Sequence, residues 1–126
     1  MKKIILFAGF FCLTSIASHA QSINNRNWKT YIGDPINDTL TFHIHSDSSF
    51  VTNSRGEIMV RTNCMITADT LTISDYGEGE YVCTDTKARY KINLNGDSFT
   101  LTVIDDACGG RAQALDGKKW TEALKK

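Results

Sequence analysis

The sequence predicts an all-β fold, an antiparallel up-and-down β-barrel of about eight strands. Three observations predict it. Apolar and polar residues alternate with a period of two in several stretches, as in strands with one buried and one wet face. Turn-forming residues interrupt the chain about every eight to twelve residues. The connections are short, as between antiparallel neighbours, because parallel crossovers need about a dozen residues or more.

The alternation is clear in TLTFHIH, where Leu40, Phe42 and Ile44 share one face while threonines and histidines share the other. Threonine suits the wet side of a pleated sheet. Closure of such a meander into a barrel removes its two exposed edges. The predicted strands are 39–45, 49–53, 57–66, 70–75, 80–84, 88–94, 98–104 and a final segment within 111–122.

The strongest turn signal is Asn95-Gly96. Both residues tolerate positive φ, which a two-residue type I′ hairpin demands. The strands 88–94 and 98–104 should therefore pair directly. No window has a convincing helical period, apart from a turn around residues 25–31.

Residues 1–20 have the three regions of a secretory signal peptide. Two lysines give the positive start, residues 4–13 are apolar, and Ser-His-Ala precedes a cleavage site before Gln21. The apolar run is too short to span a bilayer, which takes about 20 apolar residues. We therefore expect a periplasmic or secreted protein, with a barrel domain at 21–126 and no membrane span after removal of the signal.

The charge balance bears on the class of partner. The chain has 14 basic and 14 acidic residues, a formal net charge of +0. A nucleic-acid surface needs clustered Lys and Arg with a positive excess, so no nucleic-acid partner is predicted. No basic amphipathic helix follows the cleavage site, so binding to a membrane surface is not expected either. The sequence identifies no protein partner.

Cysteine usage suggests a disulfide. Cys12 falls in the signal peptide, and Cys64, Cys83 and Cys108 remain. Export implies an oxidising compartment, where a disulfide is the default for a pair of cysteines. Three cysteines allow three pairings, and each leaves one thiol over. No Cys-x-x-Cys motif occurs, so neither a thioredoxin-type site nor a zinc knuckle is predicted.

A tryptophan before the first predicted strand and an arginine near the last resemble the signature of the calycin superfamily, which includes lipocalins and fatty-acid-binding proteins. The tail is similar to that of small bacterial lipocalin-like secreted proteins. The resemblance covers about residues 28 to 122 and implies a lipocalin-like barrel. It rests on Trp28, Cys83, Tyr90, Gly96-Asp97, the strand 99–103, Asp106, Cys108, Arg111 and Trp120.

The same layout favours one of the three disulfide pairings. Cys83 and Cys108 flank the hairpin 88–104 and should lie near the same end of it. A bond between them would close a loop of about 26 residues, and such a loop stabilises a fold by roughly 3 kcal/mol. Cys64 would then be a small buried thiol.

The layout also suggests how the barrel closes. Arg111 is expected to pack across Trp28 at the closed end, where a guanidinium over an indole gains roughly 0.5–2 kcal/mol. Trp120 would add apolar area as the last strand pairs back to the first. The stretch 106–120 would then be structural, and a ligand would occupy the opposite end.

The predicted interior is aromatic, and its members are the candidate ligand-binding residues. They are Phe42, Phe50, Tyr81, Tyr90 and Phe99. An eight-stranded barrel either fills with side chains or holds one small ligand. We predict an exported binding protein for a small hydrophobic ligand at the barrel mouth. The alternative is a filled-barrel interaction or inhibitor protein of the cell envelope, with no small-molecule ligand.

His43 and His45 form a His-x-His pair on one strand face, which can chelate zinc or copper with a third ligand such as Asp47. Two solvated histidines are the alternative, and we favour it because no complete ligand set is evident. Asp105-Asp106 beside Arg111 suggests acid–base chemistry, although such acids more often cap turns or pair with arginine.

An acidic group surrounds a glycine-rich loop, but its spacing fits no EF-hand, so we expect a solvated loop at the barrel mouth. Its members are Asp69, Asp75, Glu78 and Glu80. No Ser-His-Asp or Cys-His set stands out. We therefore predict no enzymatic activity, no metal and no cofactor.

Overall fold

The computed structural model describes residues 22–45 and 48–123. The elements are β1 (Arg26–Ile32), β2 (Asp38–Ile44), β3 (Ser49–Thr52), β4 (Ile58–Thr67), β5 (Thr70–Tyr76), β6 (Lys87–Asn95), β7 (Ser98–Asp106), α1 (Gly109–Leu115) and β8 (Lys119–Glu122). Each strand pairs with the next along the chain and β8 pairs with β1, so the sheet closes. The predicted fold class, an eight-stranded antiparallel barrel, is confirmed.

The strands are not all those that were predicted. β1 lies where only a turn was expected, and it contains Trp28 rather than following it. The strand predicted at 80–84 is instead part of the β5–β6 connection, with one isolated bridge from Thr84 to Asp75. The final segment holds the helix α1 before β8, although no helix was predicted there. The structure still has the predicted number of strands, because the prediction omitted β1 and included the segment 80–84, which is not a strand.

The hairpin between β6 and β7 pairs directly, as predicted, but its turn is shifted by one residue. Asn95 pairs with Ser98, so the loop residues are Gly96 and Asp97. Gly96 has a φ of +69°, whereas the φ of Asp97 is not positive. Glycine with positive φ at the first loop position is the type II′ pattern, so the predicted type I′ turn is wrong.

The barrel has two different ends, because consecutive strands run in opposite directions. The packed end carries residues 22–25, the end of β2 and the start of β3, the β4–β5 and β6–β7 turns, and the end of β8. The open end carries the β1–β2, β3–β4 and β5–β6 connections together with α1. The seam between β8 and β1 is short, with the register pairs Trp28–Glu122 and Lys29–Thr121.

The core is concentrated toward the packed end. Trp28 meets the Phe99 ring edge-on at 4.8 Å between ring centroids, and its Nε1 donates to the carbonyl of Ile23 at 3.0 Å. Trp120 contacts Phe42 at 5.6 Å and Phe99 at 6.3 Å between centroids. These side chains are almost fully buried. Burial of each large aromatic contributes on the order of 2–3 kcal/mol, so this end supplies much of the stability.

Residues 1–20, which hold the predicted signal peptide, lie outside the described residues, and so does Gln21. Within the described part of the chain, no helix has the length and apolar character needed to cross a membrane.

Candidate ligand-binding site

A cavity of about 540 Å³ opens at the open end of the barrel. Phe42 and Trp120 bound it on the inside, since Trp28 and Phe99 lie beyond them and do not line it. The mouth is framed by the β1–β2 and β5–β6 connections and by α1. The apolar part of the wall includes Ile32, Leu40, Phe42, Val51, Val60, Ile73, Val82, Leu115 and Trp120. The interior is therefore not filled by side chains.

A disulfide between Cys83 and Cys108 stands at the mouth, and both cysteines line the cavity. It joins the β5–β6 connection to the residue that precedes α1. The predicted pairing is confirmed, and Cys64 is the free cysteine of the described residues. Burial raises the pKa of the Cys64 thiol to about 11, which keeps it protonated and poorly nucleophilic at neutral pH.

Arg111 projects from α1 into the barrel and is only 8% exposed. Its Nε and Nη2 donate to the two carboxylate oxygens of Asp106, each at 2.9 Å, and Nη2 also donates to the carbonyl of Thr86. The hydroxyl of Tyr90 donates to Asp106 at 2.5 Å, and the backbone N–H of Cys108 donates to it at 2.8 Å. Asp106 thus links α1 to β6, because it binds Arg111 of α1 and Tyr90 of β6.

These contacts set the charge states. Burial alone would raise the pKa of Asp106, but hydrogen bonds from Arg111, Tyr90 and Cys108 outweigh it and lower the pKa. Burial alone would likewise lower the pKa of Arg111, but Asp106 and Asp75 raise it. Burial and the bond to Asp106 raise the pKa of Tyr90. Asp106 and Arg111 are therefore both ionised at neutral pH, and Tyr90 is neutral.

A second carboxyl group faces the same guanidinium. Asp75 Oδ2 lies 3.2 Å from Nη1 of Arg111 and accepts the backbone N–H of Cys83 at 3.0 Å. The Asp75 side chain is 2% exposed, and that of Asp106 is 0% exposed. One buried cation therefore stands between two buried acids, a cluster with an excess of one carboxyl group.

Three buried polar side-chain atoms have no hydrogen-bond partner among the described residues: Nη1 of Arg111, Oγ1 of Thr62 and Nε1 of Trp120. Nη1 is close to Asp75, but the N–H direction is wrong for a hydrogen bond, so that contact is electrostatic only. All three residues line the cavity. Buried polar atoms are nearly always paired, so these three atoms are exceptions within the described part of the chain.

The predicted contact between Arg111 and Trp28 is wrong. Arg26 holds that position, with its guanidinium carbon 4.5 Å from the centre of the Trp28 ring and two hydrogen bonds to Glu122. The reason is strand direction, because β7 starts at the packed end and finishes at the open end. Arg111 follows β7, so it lies at the end opposite Trp28, and the stretch 106–120 borders the cavity.

The predicted aromatic lining divides into three groups. Phe42 and the half-buried Tyr81 line the cavity. Tyr90 and Phe99 are buried inside the barrel but do not reach the cavity surface. Phe50 is wrong as an interior residue, because it stacks on His43 outside the barrel at 4.3 Å between ring centroids. In the four-residue strand β3, Ser49 and Val51 take the inward positions instead.

His43 is engaged within the protein. Its Nδ1 lies 3.1 Å from Asn27 Oδ1 and its Nε2 lies 2.9 Å from Thr52 Oγ1. Because Asn27 Oδ1 can only accept, the proton is assigned to Nδ1 and the Thr52 hydroxyl donates to Nε2. Burial, with a smaller effect of His45, lowers the pKa of His43 and favours this neutral ring. The third ligand considered, Asp47, lies outside the described residues.

The acidic group of the sequence is dispersed, and the expectation that it forms one solvated loop is wrong for Asp75, which is buried in the cavity wall. Glu80 lines the mouth, and Asp69 pairs with Lys91 at 3.3 Å on the surface. Asp105 pairs with Arg89. Within 22–45 and 48–123, no group of three or more His, Cys, Asp or Glu side chains could hold a metal ion.

Most of the cavity wall was not predicted from the sequence, including the buried polar residues Thr62 and Asp75. A signal for both exists in the alternation, since Asp75 shares the inward phase of Leu71 and Ile73. Thr62 pairs with Asp75 across β4 and β5 and shares the phase of Ile66. A polar residue in the apolar phase of a strand indicates a buried polar group, and such groups need partners.

In comparisons with protein-family models, curated proteins and solved structures, no match to this chain was found. The closed eight-stranded barrel is compatible with a lipocalin-like fold. Membership of the calycin superfamily therefore stays a prediction from the sequence.

Proposed function

We propose that this protein binds one small, mostly apolar ligand inside the open end of its barrel. The observation that carries the proposal is the cavity of about 540 Å³, bounded within by Phe42 and Trp120 and lined largely by aliphatic side chains. Ligand pockets in proteins typically measure about 300–1,000 Å³ and combine an apolar wall with a few polar groups. The alternative, a filled barrel that acts only through its outer surface, has no room for such a cavity.

The polar groups of the wall favour binding over catalysis. Arg111 and Asp106 are bound to each other, and Tyr90 is bound to Asp106. A general acid or base needs a pKa near the working pH and access to the substrate. The pKa values of Asp106, Arg111 and Tyr90 are all moved away from neutrality. We therefore propose a binding protein and no enzyme.

Native mass spectrometry of the purified protein tests the proposal by detecting a co-purifying small molecule. The matched variants are Ile73→Phe, which adds volume to the cavity wall, and Ile104→Phe, which adds the same volume on the exposed outer face. We expect ligand mass on the wild type and on Ile104→Phe, with at least a tenfold lower occupancy on Ile73→Phe. Circular dichroism checks that both variants fold. Equal occupancy of the two variants would contradict the proposal.

We also infer that the protein is exported, as a lipocalin-like member of the calycin superfamily. The Cys83–Cys108 disulfide supports export, because disulfides persist in oxidising compartments. Expression of the full chain in a bacterium, followed by N-terminal sequencing of the periplasmic and secreted fractions, tests this inference. We expect a mature chain that starts at Gln21. Recovery of a chain that retains Met1 in the cytoplasm would contradict it.

A further inference from the structure

The charged residues around the cavity point to the chemical class of its ligand. Resting on the binding function proposed above, we propose that the ligand is an apolar molecule with one positively charged group, such as an alkyl amine. Its apolar body occupies the cavity, and its cationic group lies at the mouth beside Glu80 and Tyr81. The supporting observations are the charge balance of the wall, the position of Glu80 and the aromatic ring of Tyr81.

The cavity wall has no free cation to offer to an anionic ligand from within the barrel. Arg111 lines the cavity but is held by two buried acids, Asp106 at 2.9 Å and Asp75 at 3.2 Å. This cluster has one acidic group in excess of its single base. A ligand carboxylate in the cavity would be repelled by that excess in poorly solvated surroundings, and burial of an anion without its own counterion is costly. The largely aliphatic wall suits the apolar body of a ligand instead.

Acidic residues also outnumber basic ones at the mouth. Asp34 lies on the β1–β2 connection, Glu80 on the β5–β6 connection and Lys118 between α1 and β8, and all three line the cavity. Asp34 and Glu80 are exposed, so water reaches both carboxylates. A cation at the mouth stays hydrated, and its attraction to these acids is therefore not offset by a large cost of desolvation.

Glu80 and Tyr81 lie where the cavity adjoins a second hollow of about 610 Å³, because both residues line both spaces. The other charged residues of this hollow are Asp38, Arg55, Glu57 and Glu78. Acids therefore predominate on this side of the mouth as well. The face of an aromatic ring attracts cations, and a neighbouring carboxylate supplies the opposite charge. The junction at Glu80 and Tyr81 thus suits the ammonium group of a ligand whose body fills the cavity.

Three probes of matched size test the charge preference: decylamine, 1-decanol and nonanoic acid have the same number of heavy atoms. Each is added at equal free concentration at neutral pH and low salt, where the amine is a cation and the acid is an anion. The stabilisation against thermal unfolding gives the affinity, because a ligand that binds the folded state raises its stability. We expect decylamine to bind about threefold to tenfold more tightly than 1-decanol, and nonanoic acid to bind more weakly than either.

Two variants of the β5–β6 connection test where the cation lies. Glu80→Gln removes a negative charge from the mouth, and Asp85→Asn, the control, removes one from an exposed position that lines neither hollow. We expect Glu80→Gln to lower the affinity for decylamine about twofold to fivefold and to leave that for 1-decanol unchanged. Asp85→Asn should leave both affinities unchanged. Added salt should reduce the advantage of decylamine in the wild type.

The ring of Tyr81 is tested with two further variants. Tyr81→Phe keeps an aromatic ring, and Tyr81→Leu replaces it with an aliphatic side chain. We expect the ratio of the decylamine affinity to the 1-decanol affinity to fall about twofold in Tyr81→Leu and to stay unchanged in Tyr81→Phe. Circular dichroism checks that every variant folds.

The outcomes distinguish the two proposals. Equal affinity for the amine and the alcohol, or tightest binding of the acid, would overturn the inference about ligand class while the binding function stands. A preference for the amine that survives Glu80→Gln, or that Asp85→Asn reduces equally, would also overturn it, because the preference would then not arise at this junction. Failure of every probe to stabilise the protein would count against the binding function itself, and the inference would fall with it.

Discussion

Each end of the barrel has an arginine beside aromatic and acidic side chains, but the contacts of the two arginines differ. At the packed end, Arg26 lies over Trp28 and binds Glu122 while a quarter of its side chain stays exposed. At the open end, Arg111 is buried between Asp75 and Asp106 and keeps one N–H group unpaired. Each guanidinium nitrogen of Arg26 donates a hydrogen bond, whereas Nη1 of Arg111 does not. The arginine with the unbonded nitrogen is the one that lines the cavity.

The largest expected effect is at the open end. Arg111→Ala leaves two buried carboxyl groups facing each other without a cation, and loss of one partner of a buried ion pair costs about 3–5 kcal/mol. Urea unfolding measures the loss in the free energy of unfolding. Arg111→Lys should restore part of it, since a lysine supplies the charge without the planar fork. A loss below about 1 kcal/mol would show that the cluster does not hold the open end together.

The next effect concerns the disulfide at the mouth. Replacing both Cys83 and Cys108 by serine should lower the free energy of unfolding by roughly 3 kcal/mol, because the unfolded chain regains the freedom of a loop that spans 25 positions. Chemical unfolding of the double variant gives the value. The control is Cys64→Ala, which keeps the disulfide. If the double variant and Cys64→Ala lose the same amount of stability, the disulfide itself does not stabilise the protein measurably.

The unpaired hydroxyl gives an effect of the opposite sign. Thr62→Val should raise the stability of the ligand-free protein by about 1–2 kcal/mol, because an unsatisfied buried hydroxyl is replaced by a methyl group. Thermal and urea unfolding of ligand-free protein measure the change. The matched control is Thr52→Val, which removes a hydroxyl that is bonded to His43 and should lower stability. A loss of stability in Thr62→Val would mean that its hydroxyl is satisfied.

At the packed end, Arg26→Ala removes the stacking on Trp28 and should lower stability by about 0.5–1 kcal/mol, because the guanidinium is partly solvated. A double-mutant cycle with Trp28→Phe isolates the coupling between the two residues. If the stability losses of Arg26→Ala and Trp28→Phe are additive, the two side chains are not energetically coupled. An effect as large as that of Arg111→Ala would remove the distinction between the two ends.

The smallest effect is a pH dependence of the Arg26–Glu122 pair. The hydrogen bond from Arg26 lowers the pKa of Glu122 below its usual 4.5. The pair therefore contributes stability above that pH and loses it as the pH falls through the lowered value, where the folded protein takes up the proton. Glu122→Gln should be slightly less stable than the wild type at neutral pH and equal to it in strong acid. A constant difference across the range would contradict this.

The sequence was sufficient for the barrel because alternation, turns and short connections all pointed to one architecture. It missed β1 because two residues break the alternation: the polar Thr30 shares the inward phase of Trp28 and Ile32, and the aromatic Tyr31 is exposed. The segment 80–84 contains the strand-forming residues Tyr81 and Val82, but Asp75 accepts the N–H of Cys83 and the disulfide ties the segment to Cys108 in the loop. These tertiary contacts override the local pattern.

The site was harder to predict than the fold. The position of Arg111 depends on which end β7 reaches. Seven strands run from Trp28 to Arg111, and an odd number of antiparallel strands puts the two residues at opposite ends, a constraint that the predicted contact did not take into account. The helix α1 has only seven residues, begins with Gly109 and Gly110, and has no side-chain cap at Cys108, so periodicity and capping gave no signal. The inward phase of Thr62 and Asp75 was present in the sequence, but polar residues in a strand are usually assigned to solvent.

The short seam between β1 and β8 has a consequence for how the chain folds. The neighbouring hairpins form from residues that are close in sequence. The seam joins Trp28 to Glu122, so it can form only after the two distant parts of the chain have come together. The two tryptophans of the protein, Trp28 and Trp120, lie on the two seam strands. Their intrinsic fluorescence during refolding therefore reports the closure of the barrel, separately from the secondary structure that circular dichroism follows.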